Sequence, residues 1–125
     1  MSLLAAFTKQ KYLNLETFRK TGVGVRTPVW FVKEGDILYV RTVADSGKVK
    51  RIRNNSQVNI APCKMDGALL GEWNPAEAHE VSGDEINRKV DQLLDKKYGL
   101  IKKLFFRSGG KEDRNYTILE LKVRE

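Results

Sequence analysis

The sequence predicts a mainly β protein in which about six antiparallel strands, with short helices between them, form a small closed or split barrel. Stretches of alternating apolar and polar residues, typical of half-buried strands, recur along the chain. The strands do not alternate regularly with helices as in a parallel sheet, which favours an antiparallel barrel. Pro28 and Pro62 lie inside strand patterns, where proline is typical of edge strands and of bulges at a barrel rim.

The size and composition of the chain are those of one domain, 1–125. Its 125 residues are 41% hydrophobic, which is enough for one core. The apolar runs are too short to cross a bilayer, the N-terminus does not match a signal peptide, and Cys63 has no second cysteine to pair with. These features predict a soluble cytoplasmic protein. The net charge of +7 suits an anionic partner: nucleic acid, a phosphorylated cofactor or an acidic small molecule.

The first third of the chain is predicted to contain three strands. Residues 3–11 have the pattern of a short amphipathic helix, and residues 12–18 alternate as a first strand. Turn residues at 20–24, followed by a β-branched and aromatic run at 25–32, predict a hairpin. A further turn precedes the third strand, 37–42. We therefore expect a three-stranded antiparallel meander.

A short basic helix is predicted directly after the third strand. Four of the six residues 48–53 are cationic, and Ser46 is a suitable N-cap. The free amides and the dipole of a helix start favour an anion. Lys48 and Arg51 are three positions apart, so on a helix they share one face and can grip one anion. The alternative is a solvated, charged surface helix, which is the commoner use of such a face.

The remaining elements are three strands and a longer helix. Residues 57–63 form the fourth strand, and residues 69–81 form a fifth that is interrupted by Gly71 and Pro75. Ser82 and Glu85 make a capping box that begins a helix, Gly99 is expected to end it, and residues 100–107 are expected to add a further helical turn or two. Residues 115–123 alternate as the last strand.

The sequence predicts neither a metal site nor a catalytic residue of its own. One histidine, His79, and one cysteine, Cys63, are too few soft ligands for a metal centre. His79 lies in an alternating strand, where an exposed or hydrogen-bonded histidine is commoner than a catalytic one. Gly22 and Gly24 do not extend to a dinucleotide-binding fingerprint, because the third glycine is absent and no helix follows.

Four segments resemble, in order, the N-terminal domain of the pyridoxamine 5′-phosphate oxidase-like split barrels: 12–18, 27–32, 38–42 and 45–55. The sequence is most similar to the small group assigned as F420-dependent oxidoreductases. That likeness rests on the Thr-Pro-Val-Trp stretch at 27–30, the Ser-x-Lys-x-x-Arg-x-x-Asn helix and the Lys-Lys-Tyr near residue 97. The resemblance implies an FMN-binding type of six-stranded split β-barrel. It also implies a homodimer with cofactor sites in grooves between the subunits.

The resemblance also implies a set of cofactor-binding residues. Lys48 and Arg51 match the positions that hold the cofactor phosphate, Arg19 adds a third cation, and Thr42 places a hydroxyl near the phosphate. The residues implied around the ring system are Thr17, Phe18 and the run Thr27, Pro28, Val29 and Trp30. Many flavin-using members carry an arginine where this chain has Gly47, which weakens the grip on a single phosphate. F420, with its polyglutamate tail, needs a wider basic surface, to which Lys50, Arg53 and Arg41 would contribute.

Three functions remain open from the sequence. The first is an oxidoreductase that uses FMN or F420 on a small organic substrate; the ring supplies the redox chemistry, so the protein needs no acid–base pair. The second is a non-catalytic module that binds flavin or haem. The third, a nucleic-acid-binding barrel, is disfavoured because the basic residues are not interleaved with aromatics on one strand face. We expect the dimer surface near Trp73 and residues 100–107.

Overall fold

The computed structural model describes the backbone of residues 3–107 and 115–124, and side chains over 5–99 and 115–124. A short 3₁₀ helix, Leu3–Phe7, precedes the first strand. The strands of the described part are β1 (Tyr12–Phe18), β2 (Gly24–Val29), β3 (Val32–Glu34), β4 (Ile37–Val43), β5 (Gln57–Cys63), β6 (Asn74–Val81) and β7 (Tyr116–Val123). The helices are α1 (Gly47–Asn54) and α2 (Asp84–Arg107).

The strands form one antiparallel sheet in the order β2–β1–β5–β6–β7–β4–β3. The two edge strands, β2 and β3, are consecutive in the chain and are joined by only Trp30 and Phe31. An extended residue spans about 3.3–3.6 Å, so this link can bridge only a short gap. The two edges must therefore lie close together, and the sheet curls into a barrel that is split between β2 and β3.

The mainly β barrel is confirmed, but two details of the expected topology are wrong. The predicted strand at 25–32 breaks at Trp30 and Phe31, so the described chain has seven strands instead of six. The three-stranded meander does not form, because β4 pairs with β3 and β7 and not with β2. Local alternation shows where a strand lies, whereas its partner depends on which edges the closed sheet brings together.

Several predicted boundaries also differ from the structure. The N-terminal helix ends at Phe7, and the fifth strand begins at Asn74 after a loop at 64–73. Helix α2 begins two residues after the predicted cap Ser82, and the N–H of Asn87 donates to the carbonyl of Gly83. The predicted interruption at Gly99 is present, with a φ of 44°, and helical backbone follows it over 100–107 as predicted.

The barrel interior is apolar along most of its length. The inward-facing side chains of β1 and β4 include Leu13, Leu15, Leu38 and Val40, all fully buried. Helix α1 adds Val49 and Ile52 to the same cluster and so packs across one end of the barrel. The other buried members of this cluster are Phe7, Phe31, Val58, Ile60, Ala76, Ala78, Leu119 and Leu121. Core contacts therefore hold α1 against this end of the barrel.

Helix α2 packs on the outside of the sheet. Its residues Val90, Leu94 and Tyr98 form a second buried cluster with Val32, Tyr39 and Ile118. The ring of Trp30 stacks on that of Tyr98, with centroids 4.2 Å apart and planes 8° from parallel. Trp30 and Phe31 thus point to opposite sides of the barrel wall, Phe31 into the interior and Trp30 towards α2.

Candidate functional site

The inner faces of β1 and β4 change from apolar to polar at the end of the barrel that α1 covers. Thr17 continues the inward row of Leu13 and Leu15 on β1, and Thr42 continues the inward row on β4. Thr17 is 1% exposed and Thr42 is 9% exposed. A buried hydroxyl requires a hydrogen-bond partner, so these two residues call for polar groups at this end of the interior.

Helix α1 supplies those partners from two cations on one face. The Arg51 Nε donates to Thr17 Oγ1 at 2.6 Å, and the Lys48 Nζ donates to Thr42 Oγ1 at 3.2 Å. Strands β1 and β4 are not neighbours in the sheet, so α1 joins two separate parts of the barrel wall. The three-residue spacing of Lys48 and Arg51 thus directs both side chains to the same end of the barrel.

The cations at this end of the barrel repel one another. Burial lowers the pKa of Lys48, and the nearby charge of Arg51 lowers it further. Burial likewise lowers the pKa of Arg51, with an added contribution from Arg19. Within the described residues, no carboxylate forms an ion pair with these three side chains. A cluster of like charges without a counter-charge favours the binding of an anion. We call Arg19, Lys48 and Arg51 the cation cluster.

The start of α1 adds a buried hydroxyl to this surface. Ser46 has the extended backbone of an N-cap, and its carbonyl accepts the N–H of Lys50 at 3.2 Å. Its side chain makes no capping bond, and Ser46 Oγ is buried without a hydrogen-bond partner in the described part of the chain. The expected N-cap position is therefore confirmed, whereas the expected side-chain cap is absent. Ser46 Oγ is therefore an unused donor directly before α1.

The structure brings together five of the residues that the sequence predicts for the cofactor site: Thr17, Arg19, Thr42, Lys48 and Arg51. The other five lie elsewhere on β1 and β2 or at the link to β3, with Thr27 opposite Leu15. Phe18 is half-buried opposite Gly24, and Pro28 lies opposite Asn14. Val29 packs on the interior core, and Trp30 stacks on Tyr98.

The wider basic surface expected for a polyanionic tail is partly neutralised. Arg41 pairs with Asp91 at 3.0 Å, and Arg53 makes two bonds to Glu80, at 2.6 and 3.1 Å. Lys50 is exposed and forms no ion pair within the described residues. Among the described residues, Lys50 is therefore the one of these three cations that has no ion pair with a carboxylate.

Sequence reasoning gave no role to two further polar residues, Asn14 on β1 and Lys97 on α2. Asn14 is 6% exposed; it donates to Gly67 O at 3.1 Å, and its Oδ1 has no partner among the described residues. Lys97 is half-buried, with its Nζ 2.9 Å from Phe31 O and 3.4 Å from the centroid of the Phe31 ring. Burial lowers the pKa of Lys97 to about 8. An asparagine within an apolar strand was a usable signal for Asn14, but the surroundings of Lys97 depend on tertiary contacts.

A surface groove of about 560 Å³ lies away from the cation cluster, between β3 and α2. It is lined by Glu34, Glu85, Arg88, Lys89, Gln92, Leu93 and Lys96. The ion pair of Lys89 with Glu34, at 2.6 Å, joins residues from its two sides. Because both signs of charge occur in it, this groove offers a ligand less unbalanced charge than the cation cluster does.

Other chemistry is sparse in the described chain. His79 is exposed on β6 and contacts Glu77 Oε1 at 2.7 Å. Among the described residues, His, Cys, Asp and Glu side chains do not gather in a group of three that would hold a metal ion. No described helix combines the length and the apolar character needed to cross a membrane.

Comparison with solved structures gives strong matches over nearly the whole chain. A candidate pyridoxamine 5′-phosphate oxidase from Listeria innocua matches with a TM-score of 0.70 and 12% identity, over 98% of this chain and 91% of that one. The heme storage protein HutZ from Vibrio cholerae gives 0.70 and 17% identity, over 94% and 84%. An F420 reductase gives 0.66 and 14% identity, over 100% and 95%.

The chain has the split-barrel fold of these proteins. The resemblance inferred from the sequence is thereby confirmed at the level of the fold. No family model matches the chain, and no curated protein matches its sequence. The three matched split barrels carry different names, so the choice of ligand has to be argued from the side chains of this chain.

Proposed function

We propose that the protein binds a phosphorylated flavin-type cofactor, FMN or F420, and uses it as an oxidoreductase on a small organic substrate. The observation that carries this proposal is the cation cluster at the end of the barrel, which has no carboxylate counter-charge among the described residues. In this proposal Lys48, Arg51 and Arg19 hold the phosphate, and the hydroxyls of Thr17 and Thr42 orient the first two of these side chains.

The donors that remain at this site fit a phosphate group. Arg51 uses its Nε on Thr17, which leaves both terminal nitrogens of the guanidinium for an anion. Lys48 donates one of its three N–H groups to Thr42 Oγ1, which leaves two for a ligand. Ser46 Oγ adds an unsatisfied hydroxyl. Each charge-assisted bond contributes about 1.5–3 kcal/mol, so two or three of them together with ring burial give micromolar binding or better.

The proposed ring site lies along β1 and β2. Phe18, Pro28, Val29 and Trp30 are the residues that the family resemblance assigns to the ring, together with Thr27. A flavin or deazaflavin ring carries the hydride or electron chemistry itself, and the protein binds, orients and shields it. The absence of an acid–base pair from the predicted site residues is therefore compatible with an enzyme.

We further propose that the cofactor groove is completed by a second copy of the chain. The β5–β6 loop, 64–73, exposes Met65, Leu69 and Leu70 at 69%, 45% and 47%. Contiguous exposed apolar side chains are typical of interaction surfaces. The same loop lies against the proposed ring site. The carbonyl of Gly67 accepts a hydrogen bond from Asn14, and a Cβ placed on Gly67 would lie 4.0 Å from Pro28 Cγ. A homodimer formed through this loop would place the partner beside the ring.

A carrier that binds flavin or haem without turnover uses the same surface and is the second candidate. The match to a heme storage protein concerns the fold. The two functions are separated by adding candidate acceptors to the reduced, loaded protein under anaerobic conditions. An oxidoreductase consumes the reduced cofactor in proportion to the acceptor, whereas a carrier leaves it reduced.

The binding proposal is tested by Lys48→Ala with Arg51→Ala. Fluorescence titration with FMN and with F420 should show that the wild-type protein binds at least one of them. The double variant should lose affinity by about 10²–10⁴-fold, since two charge-assisted contacts are removed. Circular dichroism checks that the barrel is intact.

The matched control is Arg88→Ala with Lys96→Ala, which removes the same two charges from the exposed surface of α2. We expect this control to change affinity less than tenfold. Equal losses in the two double variants would show that net charge, and not the cation cluster, attracts the ligand. Binding of neither cofactor to the wild-type protein would end the proposal.

A further inference from the structure

Gly47, the first residue of α1, leaves a space that is filled by another side chain. A Cβ added to Gly47 would lie 2.8 Å from Arg51 Nη1, with Arg51 Cζ at 3.6 Å and Nη2 at 3.7 Å. A separation of 2.8 Å is shorter than real Cβ contacts, so the guanidinium occupies the volume that a side chain at this position would need.

The backbone of Gly47 does not itself require glycine. The glycines of the described chain with positive φ are Gly22, Gly35, Gly67, Gly83 and Gly99. Gly47 is not among them and has the helical conformation that any residue other than proline adopts readily. The lack of a side chain at this position is therefore accounted for by the position of Arg51 and not by a turn.

The position of Arg51 is fixed at two points. Its Nε donates to Thr17 Oγ1 at 2.6 Å, and its terminal Nη1 lies against Gly47. An arginine side chain is flexible, so a methyl group at position 47 would displace the guanidinium sooner than it would distort the helix. Displacement by several tenths of an ångström lengthens or bends the bond to Thr17, and such bonds weaken steeply away from good geometry.

We propose that Gly47 is a positioning residue for the anion site: its missing side chain lets Arg51 lie back across the first turn of α1 and hold Thr17. The positive charge beside the start of α1 is then supplied by Arg51, one turn further along the helix. Thr17 anchors the Nε of Arg51, and the terminal nitrogens of its guanidinium are directed to the ligand. This proposal rests on the proposed function for its ligand, but not for the geometry that it describes.

The proposal predicts that Gly47→Ala changes the stability of the protein and its affinity for the cofactor in opposite directions. Replacement of glycine by alanine stabilises a helix, although less at this first position than in the helix interior. Gly47→Ala should therefore keep or raise the melting temperature, while it lowers the affinity for FMN or F420 by about tenfold. A substitution that damaged the fold would lower both quantities.

The dependence on Arg51 is tested by combining variants. In an Arg51→Ala background, Gly47→Ala should change cofactor affinity by less than about twofold, because the displaced group is already absent. The control is Asn54→Ala, which also raises helix propensity but lies at the exposed far end of α1. Asn54→Ala should leave affinity unchanged. An equal effect of Gly47→Ala with and without Arg51, or no effect in either background, would overturn the proposal.

A second measurement does not need the cofactor. The Nε–H resonance of Arg51 in the nuclear magnetic resonance spectrum should be protected from exchange in the wild-type protein. It should lose that protection in Gly47→Ala and in Thr17→Val, but not in Asn54→Ala. If the protein binds neither FMN nor F420, the proposed function fails and this measurement still decides the role of Gly47. An Arg51 resonance that Gly47→Ala does not change overturns the inference.

Discussion

Lys48 is a half-buried ammonium group whose charge is needed for the proposed phosphate contact. Its position was predictable, because it follows from helical spacing within a short basic segment. Its electrostatic state was not, because the burial and the proximity of Thr42 depend on how α1 packs on the barrel. Arg51 shows the same division, since its bond to Thr17 spans residues 34 positions apart.

The lowered pKa of Lys48 predicts an alkaline loss of cofactor binding. Deprotonation removes the positive charge, and the lowered pKa brings this about at lower pH than in an exposed lysine. Lys48→Arg keeps its charge as the pH rises, so its affinity should fall less than that of the wild-type protein on the alkaline side. Fluorescence titration of FMN or F420 at a series of pH values measures this. Superimposable pH profiles would show that Lys48 does not contact the anion.

The elements themselves were largely predictable because each depends on neighbours in the sequence. β1 and β5 have the predicted bounds, and α1 lies where the basic segment follows the third predicted strand. The errors occur where an element is defined by distant contacts. β2 and Val32, the first residue of β3, fall within the one strand predicted at 25–32, and this strand breaks because Trp30 turns to α2 while Phe31 enters the core.

Helix α2 is fastened to the link between β2 and β3 through one hydroxyl. Tyr98 OH accepts the N–H of Phe31 at 3.0 Å, and its single proton is shared between the carbonyls of Phe31 and Lys11, at 2.9 and 2.8 Å. Burial raises the pKa of Tyr98, so this hydroxyl stays protonated and remains a donor. The bond network thus joins α2, the barrel split and the approach to β1.

Tyr98→Phe is expected to destabilise the protein by about 1–3 kcal/mol, because it leaves the buried N–H of Phe31 without its acceptor. The ring is retained, so the stack with Trp30 should survive. Urea unfolding measures the loss, and near-ultraviolet circular dichroism in a Trp73→Phe background, where Trp30 is the remaining tryptophan, reports on the stack. A change below about 0.5 kcal/mol would show that water or another group replaces the hydroxyl.

The whole molecule is expected to be a homodimer in solution. Three apolar side chains of the loop at 64–73, Met65, Leu69 and Leu70, are each 45% exposed or more. The sequence placed the dimer surface near Trp73, which lies in this loop, and near residues 100–107, whose side chains are outside the described residues. Arg26 on the edge strand β2 lies over the Trp73 ring, 4.8 Å from its centroid.

Light scattering coupled to gel filtration tests the dimer. Leu69→Lys with Leu70→Lys should give a monomer, since two charges would have to be buried at the interface. It should also weaken cofactor binding, because the groove would be incomplete. Asn87→Lys with Gln92→Lys adds the same charge to exposed positions of α2 and should leave the mass unchanged. A dimer that survives the loop substitutions would place the interface elsewhere.

Local sequence was sufficient for the mainly β class, the positions of most strands, the basic helix and the paired cations upon it. These features depend on side-chain alternation, turn residues and helical spacing, which act over a few residues. Tertiary structure was needed for the order of the strands, the meeting of the β2 and β3 edges, and the contact of Arg51 with Thr17. These features depend on burial and on pairing between segments that are distant in the sequence, so a pattern over a few residues does not predict them.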